Sequence, residues 1–203
     1  MTKVKLTKTE LKAQQDALKR FQRFLPMLQL KKQQLQGEIA GIQQKAEAAT
    51  RREKALRGEL DRWVGLIATD ERLLSGLVKV SEVKTGSANI AGVTIPTFEK
   101  IETLVKEIDL FATPAWVDDA VKVTTALLSL QCERAIYLEQ ERLITIELQL
   151  TSQRVNLFEK VKIPECKEAI RVIKIAIGDE QTAAVTRGKI AKSRTPAKAE
   201  VAA

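Results

Sequence analysis

A 3.5-residue apolar repeat holds over the first third of the chain. One heptad position is filled by Leu11, Leu18, Leu25, Lys32, Ile39, Ala46, Glu53, Leu60 and Ile67. The position three residues later is filled by Gln14, Phe21, Leu28, Leu35, Ile42, Ala49, Leu56 and Trp63. Only Gln14, Lys32 and Glu53 are polar. A repeat kept this long argues for a left-handed coiled coil rather than a globular amphipathic helix. At about 1.5 Å per residue, the stretch from Leu11 to Ile67 runs roughly 85 Å as a helix, beyond the width of a compact domain. Its stripe needs a partner of similar length.

The chain supplies one. FATPAWVDDA restarts a helix, with Thr113 as N-cap, Pro114 at the first helical position, and Asp118 and Asp119 at its positive end. Leu130, Tyr137, Ile144, Thr151 and Phe158 form one row of this helix, Leu148 and Val155 belong to the next, and Ile136, Leu143, Leu150 and Leu157 form an apolar flanking row. Beyond Pro164 the stripe resumes in a shifted phase through Ile163, Cys166, Ile170, Ile173 and Ile177, and Gly178 is the expected end. At the other end of the first helix, TKTE at 7–10 has the form of a capping box, with Thr7 as N-cap and Glu10 three residues on.

Between the helices, LVKVSEV (77–83) and NIAGVTIPTF (89–98) are β-branched runs separated by KTGSA, which reads as a hairpin turn. Pro96 marks an edge or an exit. Phe98, Ile101, Leu104, Val105 and Ile108 have the spacing of a short amphipathic helix. The expected fold is therefore mainly α: a long antiparallel two-helix coiled coil with a small α/β-hairpin insert at one end. Its parts are a helix over 1–75, an insert over 76–112, a second helix over 113–178, and a basic, partly disordered tail over 179–203.

Composition narrows the chemistry. Of 203 residues, 44% are apolar, only 4% are aromatic, and none is histidine. Without histidine the commonest general base, the Ser-His-Asp and Cys-His dyads and most zinc sites are gone. No phosphate loop of the GxxxxGK type and no cluster of metal ligands is present, so the expectation is no enzyme, no metal and no cofactor. On one continuous helix, Cys132 and Cys166 would lie roughly 50 Å apart, far beyond the about 7 Å that a disulfide allows. They read as structural thiols of a reducing compartment. MTKVKLTKTELK lacks the apolar core of a signal peptide, and no run approaches a membrane span, so a soluble, cytoplasmic protein is expected.

Charge is uneven along the chain. Residues 1–23 and 160–203 each carry a net +5, while 61–120 carry −4 of the overall +8. Folding the chain in half brings the two basic segments to one tip and leaves the insert end acidic. Such a tip is either solubilising or an arm for a nucleic acid or another anionic surface; it lacks the interleaved aromatics of a nucleic-acid platform.

The segment QRVNLFEKVKIPECKEAIRVIK (153–174) resembles the C-terminal helix of the D subunit, the central-stalk rotor shaft of V-type and A-type rotary ATPases. GVTIPTFEKI at 92–101, LTKTELKAQQDALKR and LQLKKQQL share the likeness, which spans most of 6–178. FLPMLQLKK carries a proline where the family commonly has none, as in a divergent bacterial branch. The resemblance implies a non-catalytic shaft that transmits torque between the ATP-hydrolysing or ATP-synthesising ring and the ion-translocating membrane rotor. It implies as partners the catalytic A and non-catalytic B subunits of the ring, the small F subunit of the stalk and a membrane-side adaptor, the C or d subunit. It implies neither nucleic-acid binding nor membrane insertion, and a cytoplasmic place peripheral to the membrane. On it, Lys5, Lys8, Lys12, Arg171 and Lys174 are candidate ring contacts at the tip.

Two features keep two readings each. Ile136, Leu143, Leu150 and Leu157 either thicken the two-helix core or dock the small F subunit. Counting outward from Leu74 opposite Trp116 sets Pro26 level with Pro164, which predicts a shared bend. That bend is either an off-axis cam or a kink that only accommodates packing. Lys32 and Glu53, at core positions, read as register markers or solvent-reaching edges.

Overall fold

The computed structural model describes residues 5–61, 65, 76–106, 114 and 116–199. Helix α1 spans Lys8–Leu60, strands β1 and β2 span Val78–Ile90 and Val93–Val105, and helix α2 spans Trp116–Leu157. A π-helical turn, Phe158–Lys162, joins α2 to helix α3, Ile163–Ala199. The chain is mainly helical with one two-stranded antiparallel sheet. It divides into two compact units, one made of residues 31–151 and the other of 1–30 with 152–203.

In the 31–151 unit, the second heptad row of α1 is the core row. Leu35, Ile42 and Ala49 are buried, and Leu35 and Ile42 share a cluster with Ile144 of α2, which has no exposed surface. Polar groups along the seam fix an antiparallel register: Lys31 with Glu147 at 2.6 Å, Gln43 with Glu141 at 2.6 Å and Arg52 with Glu133 at 3.4 Å. In each of these pairs α1 supplies the donor and α2 the carboxylate.

The hairpin packs onto this helix pair. Ile95 is buried in one cluster with Leu35, Ile42 and Ile144, and Ala88, Ile90, Ala91 and Val93 pack against that cluster. The buried Gln140 donates its side-chain amide to the Pro96 carbonyl.

The turn and the insert helix both differ from the sequence expectation. The turn is Ala91–Gly92, between the paired Ile90 and Val93. Both turn residues have positive φ, +50° and +86°, as a two-residue turn matched to strand twist requires, and the Asn89 side chain accepts the Gly92 amide. KTGSA lies inside β1. Its Gly86 is needed for a close approach: a Cβ there would sit 2.7 Å from Thr97 Oγ1 and 2.8 Å from Glu99 Oε1, beside an irregularity of register. Phe98, Ile101, Leu104 and Val105 lie in β2, not in a helix; Ile108 and Thr113 fall outside the described residues. Pairing with β1 and contact with the helices outweigh a spacing that also fits 3.6 residues per turn. Pro96 is tolerated because both strands of a two-stranded sheet are edges.

Thr151 is the exception in this unit's packing. It has no exposed surface, and its hydroxyl has no hydrogen-bond partner. Thr50 and Thr125 instead bond the carbonyl four residues back. A buried hydroxyl without a partner costs about 1–3 kcal/mol. Thr151→Val, of the same shape, is expected to raise the stability by about 1 kcal/mol, read as a higher urea midpoint with an unchanged slope.

In the other unit, the Thr7 hydroxyl accepts the Glu10 amide at 3.2 Å, the N-cap half of the expected box. The Glu10 carboxylate turns to the Gln14 side-chain amide. Phe21 packs against Phe158 with ring centroids 5.1 Å apart and the rings tilted by 46°, and Val155, Cys166 and Ile173 are buried. The proline levels drawn from the count therefore need correction. Level prolines would put Phe21 near Ala169; with Phe21 on Phe158 instead, Pro26 and Pro164 lie on opposite sides of the aromatic pair along antiparallel segments. Interlocking side chains, not a count from the base, set the register.

Pro164 stands two residues past the π turn, behind Ile163, whose amide reaches back to the Phe158 carbonyl. A five-residue reach widens the helix where the proline ring would otherwise strike the carbonyl four residues back. The proline is absorbed by one wide turn and the helix continues. It continues past Gly178 as well, correcting the expected end: α3 runs to Ala199, and every residue from Gly178 to Arg194 is exposed. One glycine costs about 1 kcal/mol in a helix, which the surrounding alanines, lysines and arginines offset.

Candidate functional site

Among the described residues, no group of three His, Cys, Asp or Glu side chains is placed to hold a metal ion. No described helix is long and apolar enough to cross a membrane. What the surface offers is charge and exposed apolar side chains.

The five basic candidates, Lys5, Lys8, Lys12, Arg171 and Lys174, are all exposed and belong to the same unit. Arg171 is already engaged: its guanidinium forks onto Glu168 at 2.6 and 2.9 Å. That bond keeps the Glu168 carboxyl below its usual range and raises Arg171 above its own. Among the described residues the four lysines form no ion pair, so their charge faces outward.

The flanking row of α2 divides in two. Ile136 and Leu143 are half-buried, and Leu143 packs against the cluster under the hairpin tip. Leu150 and Leu157 are 41% and 44% exposed. The structure adds two residues that sequence reasoning missed, Leu138 at 52% and Ile146 at 44% exposure. They line a shallow groove with Glu141, Arg142, Thr145 and Gln149. Leu138, Ile146 and Leu150 are spaced eight and four apart, a helical row beside the buried Ile144 and the half-buried Leu148; that spacing was the available signal.

Glu53 and Lys32, the two core-position charges, also separate. Lys32 is half-buried, whereas Glu53 is 5% exposed. The Glu53 carboxylate accepts from Arg57 at 2.8 Å and Gln131 at 3.3 Å, and Arg134 Nε lies 3.6 Å from its second oxygen. Burial alone would raise its pKa; the bonds from Gln131 and Arg57 and the charges of Arg134 and Arg57 outweigh it, and the net shift is downward. A lowered folded-state pKa stabilises the protein above the ordinary carboxylate range, and that contribution is lost as pH falls through the lowered value. Next to this group, Arg52 and the Tyr137 hydroxyl both meet Glu133.

Pro26 lies inside an unbroken α1, and Pro164 opens α3 behind the π turn. The wide turn and this proline fall within the same RVN-to-IP segment that carries the resemblance at 153–174. The family pattern of the ATP synthase D subunit fits residues 10–193, nearly the whole chain. The chain belongs to the ATP synthase D-subunit family. It is 45% identical to the D subunit of the V-type ATP synthase of Borreliella burgdorferi over 95% of both chains. It is 30% identical to that of Chlamydia trachomatis serovar L2 over 95% of this chain and 96% of the relative. With that of Chlamydia felis it shares 28% identity over 95% and 94% of the two chains. As a D-subunit family member, the chain is matched from the first turns of α1 into the exposed end of α3.

Proposed function

We propose that this D-subunit family member is the non-catalytic central rotor shaft of a V/A-type ATP synthase or ATPase. It carries torque between the ring of catalytic A and non-catalytic B subunits and the membrane rotor, and it works in the cytoplasm at the membrane's periphery. The observation that carries the reading is the long helix pair braced along its seam by buried Leu35, Ile42 and Ile144 and by the charge ladder from Lys31 to Glu133, in a chain of this family. A lever needs stiffness, which interlocked heptads supply, and needs no nucleophile of its own.

Lys5, Lys8, Lys12, Arg171 and Lys174 make weak, screened contacts to the ring, which hold the tip without locking it. The exposed Leu150 and Leu157, with Leu138 and Ile146, dock the small F subunit, while Leu143 and Ile136 serve the core. The acidic insert region faces the C or d adaptor. The wide turn before Pro164 takes the shaft off its axis where it meets the ring.

The test is co-purification from cells expressing the tagged chain. Ring, small-stalk and adaptor subunits are expected together, and Leu150→Asp with Leu157→Asp is expected to lose the small F subunit alone. Salt-sensitive binding to DNA with no ATPase subunits recovered would replace this reading with that of an anionic-surface adaptor, which the exposed basic end of α3 would then serve.

A further inference from the structure

Among the described residues of the 31–151 unit, the Glu53 layer is the one place where a buried charge interrupts the apolar seam between α1 and α2. Its partners come from both helices: Arg57 from α1, and Gln131 and Arg134 from α2. Arg57 would move with Glu53 in any sliding of the helices, because both lie on α1 and are four residues apart. Gln131 and Arg134 would not. Everything else along the seam tolerates sliding better. Leucine, isoleucine and alanine rows interlock nearly as well one heptad along, and the carboxylates of the Lys31 and Arg52 pairs are 23% and 15% exposed against 7% for that of Glu53, so water replaces a lost partner more readily there.

We infer that Glu53, Gln131 and Arg134 form a register lock, a polar layer that permits one axial alignment of α1 and α2 and penalises all others. Buried ion pairs are often no more stabilising than well-packed apolar residues, yet leaving one partner behind is strongly unfavourable. That asymmetry sets alignment without adding net stability, as a lone polar core residue does in coiled coils. In a helix pair under axial or twisting load, such a layer resists shear that apolar packing alone yields to. The inference concerns the chain by itself and does not depend on the proposed partners.

The experiment uses the full chain with Cys132 and Cys166 replaced by serine or alanine and spin labels on the exposed Glu38→Cys and Lys122→Cys. These positions lie on opposite sides of the layer along the helices, so a slip of one heptad changes their separation by roughly 10 Å. The parent protein gives one distance. Glu53→Leu with Gln131→Leu and Arg134→Leu is expected to hold or raise the melting midpoint while splitting the distance into two populations about a heptad, roughly 10 Å, apart. A folded triple variant with a single unshifted distance overturns the lock. So does a triple variant that fails to fold, since the layer would then carry stability and not alignment. Glu53→Gln alone keeps a group able to bond Gln131, and it is expected to keep the single distance at a lower midpoint; a split distance in that variant also counts against the lock.

Discussion

Ile144→Ala lowers the stability of the chain by about 2–4 kcal/mol, seen as a fall in the urea midpoint with little change in slope. Ile144 has no exposed surface, and it touches both α1 and the hairpin through the cluster with Leu35, Ile42 and Ile95. The loss combines the transfer of the removed methylenes with the cavity they leave, because two helices and a strand hold that cavity open. Amide exchange should quicken at the hairpin tip as well as in α2, since Ala88, Ile90 and Val93 lean on the same cluster. The control is Leu138→Ala, eight-residue partner to Ile146 on the exposed row, which should move the midpoint by less than about 0.5 kcal/mol. Equal losses at the two positions would mean that the hairpin does not rest on Ile144.

On the proposed ring contact, neutralisation by Lys5→Gln, Lys8→Gln, Arg171→Gln and Lys174→Gln together is expected to weaken assembly with the catalytic ring about tenfold or more at low salt. The figure follows from a few tenths to about 1 kcal/mol for each exposed charge and a factor of ten per about 1.4 kcal/mol. The three lysines should account for most of it. Arg171 already satisfies Glu168, so its outward charge is partly spent within its own helix. The difference from the parent should shrink as ionic strength rises and the Debye length falls toward about 3 Å. Urea unfolding of the isolated chain should change little, because all four side chains are exposed. Assembly titrated against salt, with an unchanged curve for the variant, would remove charge from the account of the tip.

The parts of this protein that were legible in its residues are those decided within a turn or two of chain. A heptad stripe is helical wherever its partner lies, and Thr7 caps α1 through a bond three residues long. Asp118 and Asp119 mark the start of α2 for the same local reason. The continuation of α3 beyond Gly178 was also local information, misread because glycine was weighted as a stop although its neighbours are good helix formers. Leu138 and Ile146 went unseen because an exposed apolar row and a buried one have the same period; only the position of α1 and the hairpin tells them apart.

Sequence alone determined that this chain builds two long helices around a β-rich insert, and its resemblance at 153–174 pointed to the family. Tertiary structure decided the rest. Phe98–Val105 became a strand because β1 offered it backbone partners and α2 a surface to cover. Phe21 met Phe158, Glu53 found Arg134, and Leu143 went under the hairpin while Leu150 stayed in water. The physical reason is common to all of these. Period and propensity fix what each segment is, but pairing across a hundred residues depends on shape and charge that meet only once the chain has folded.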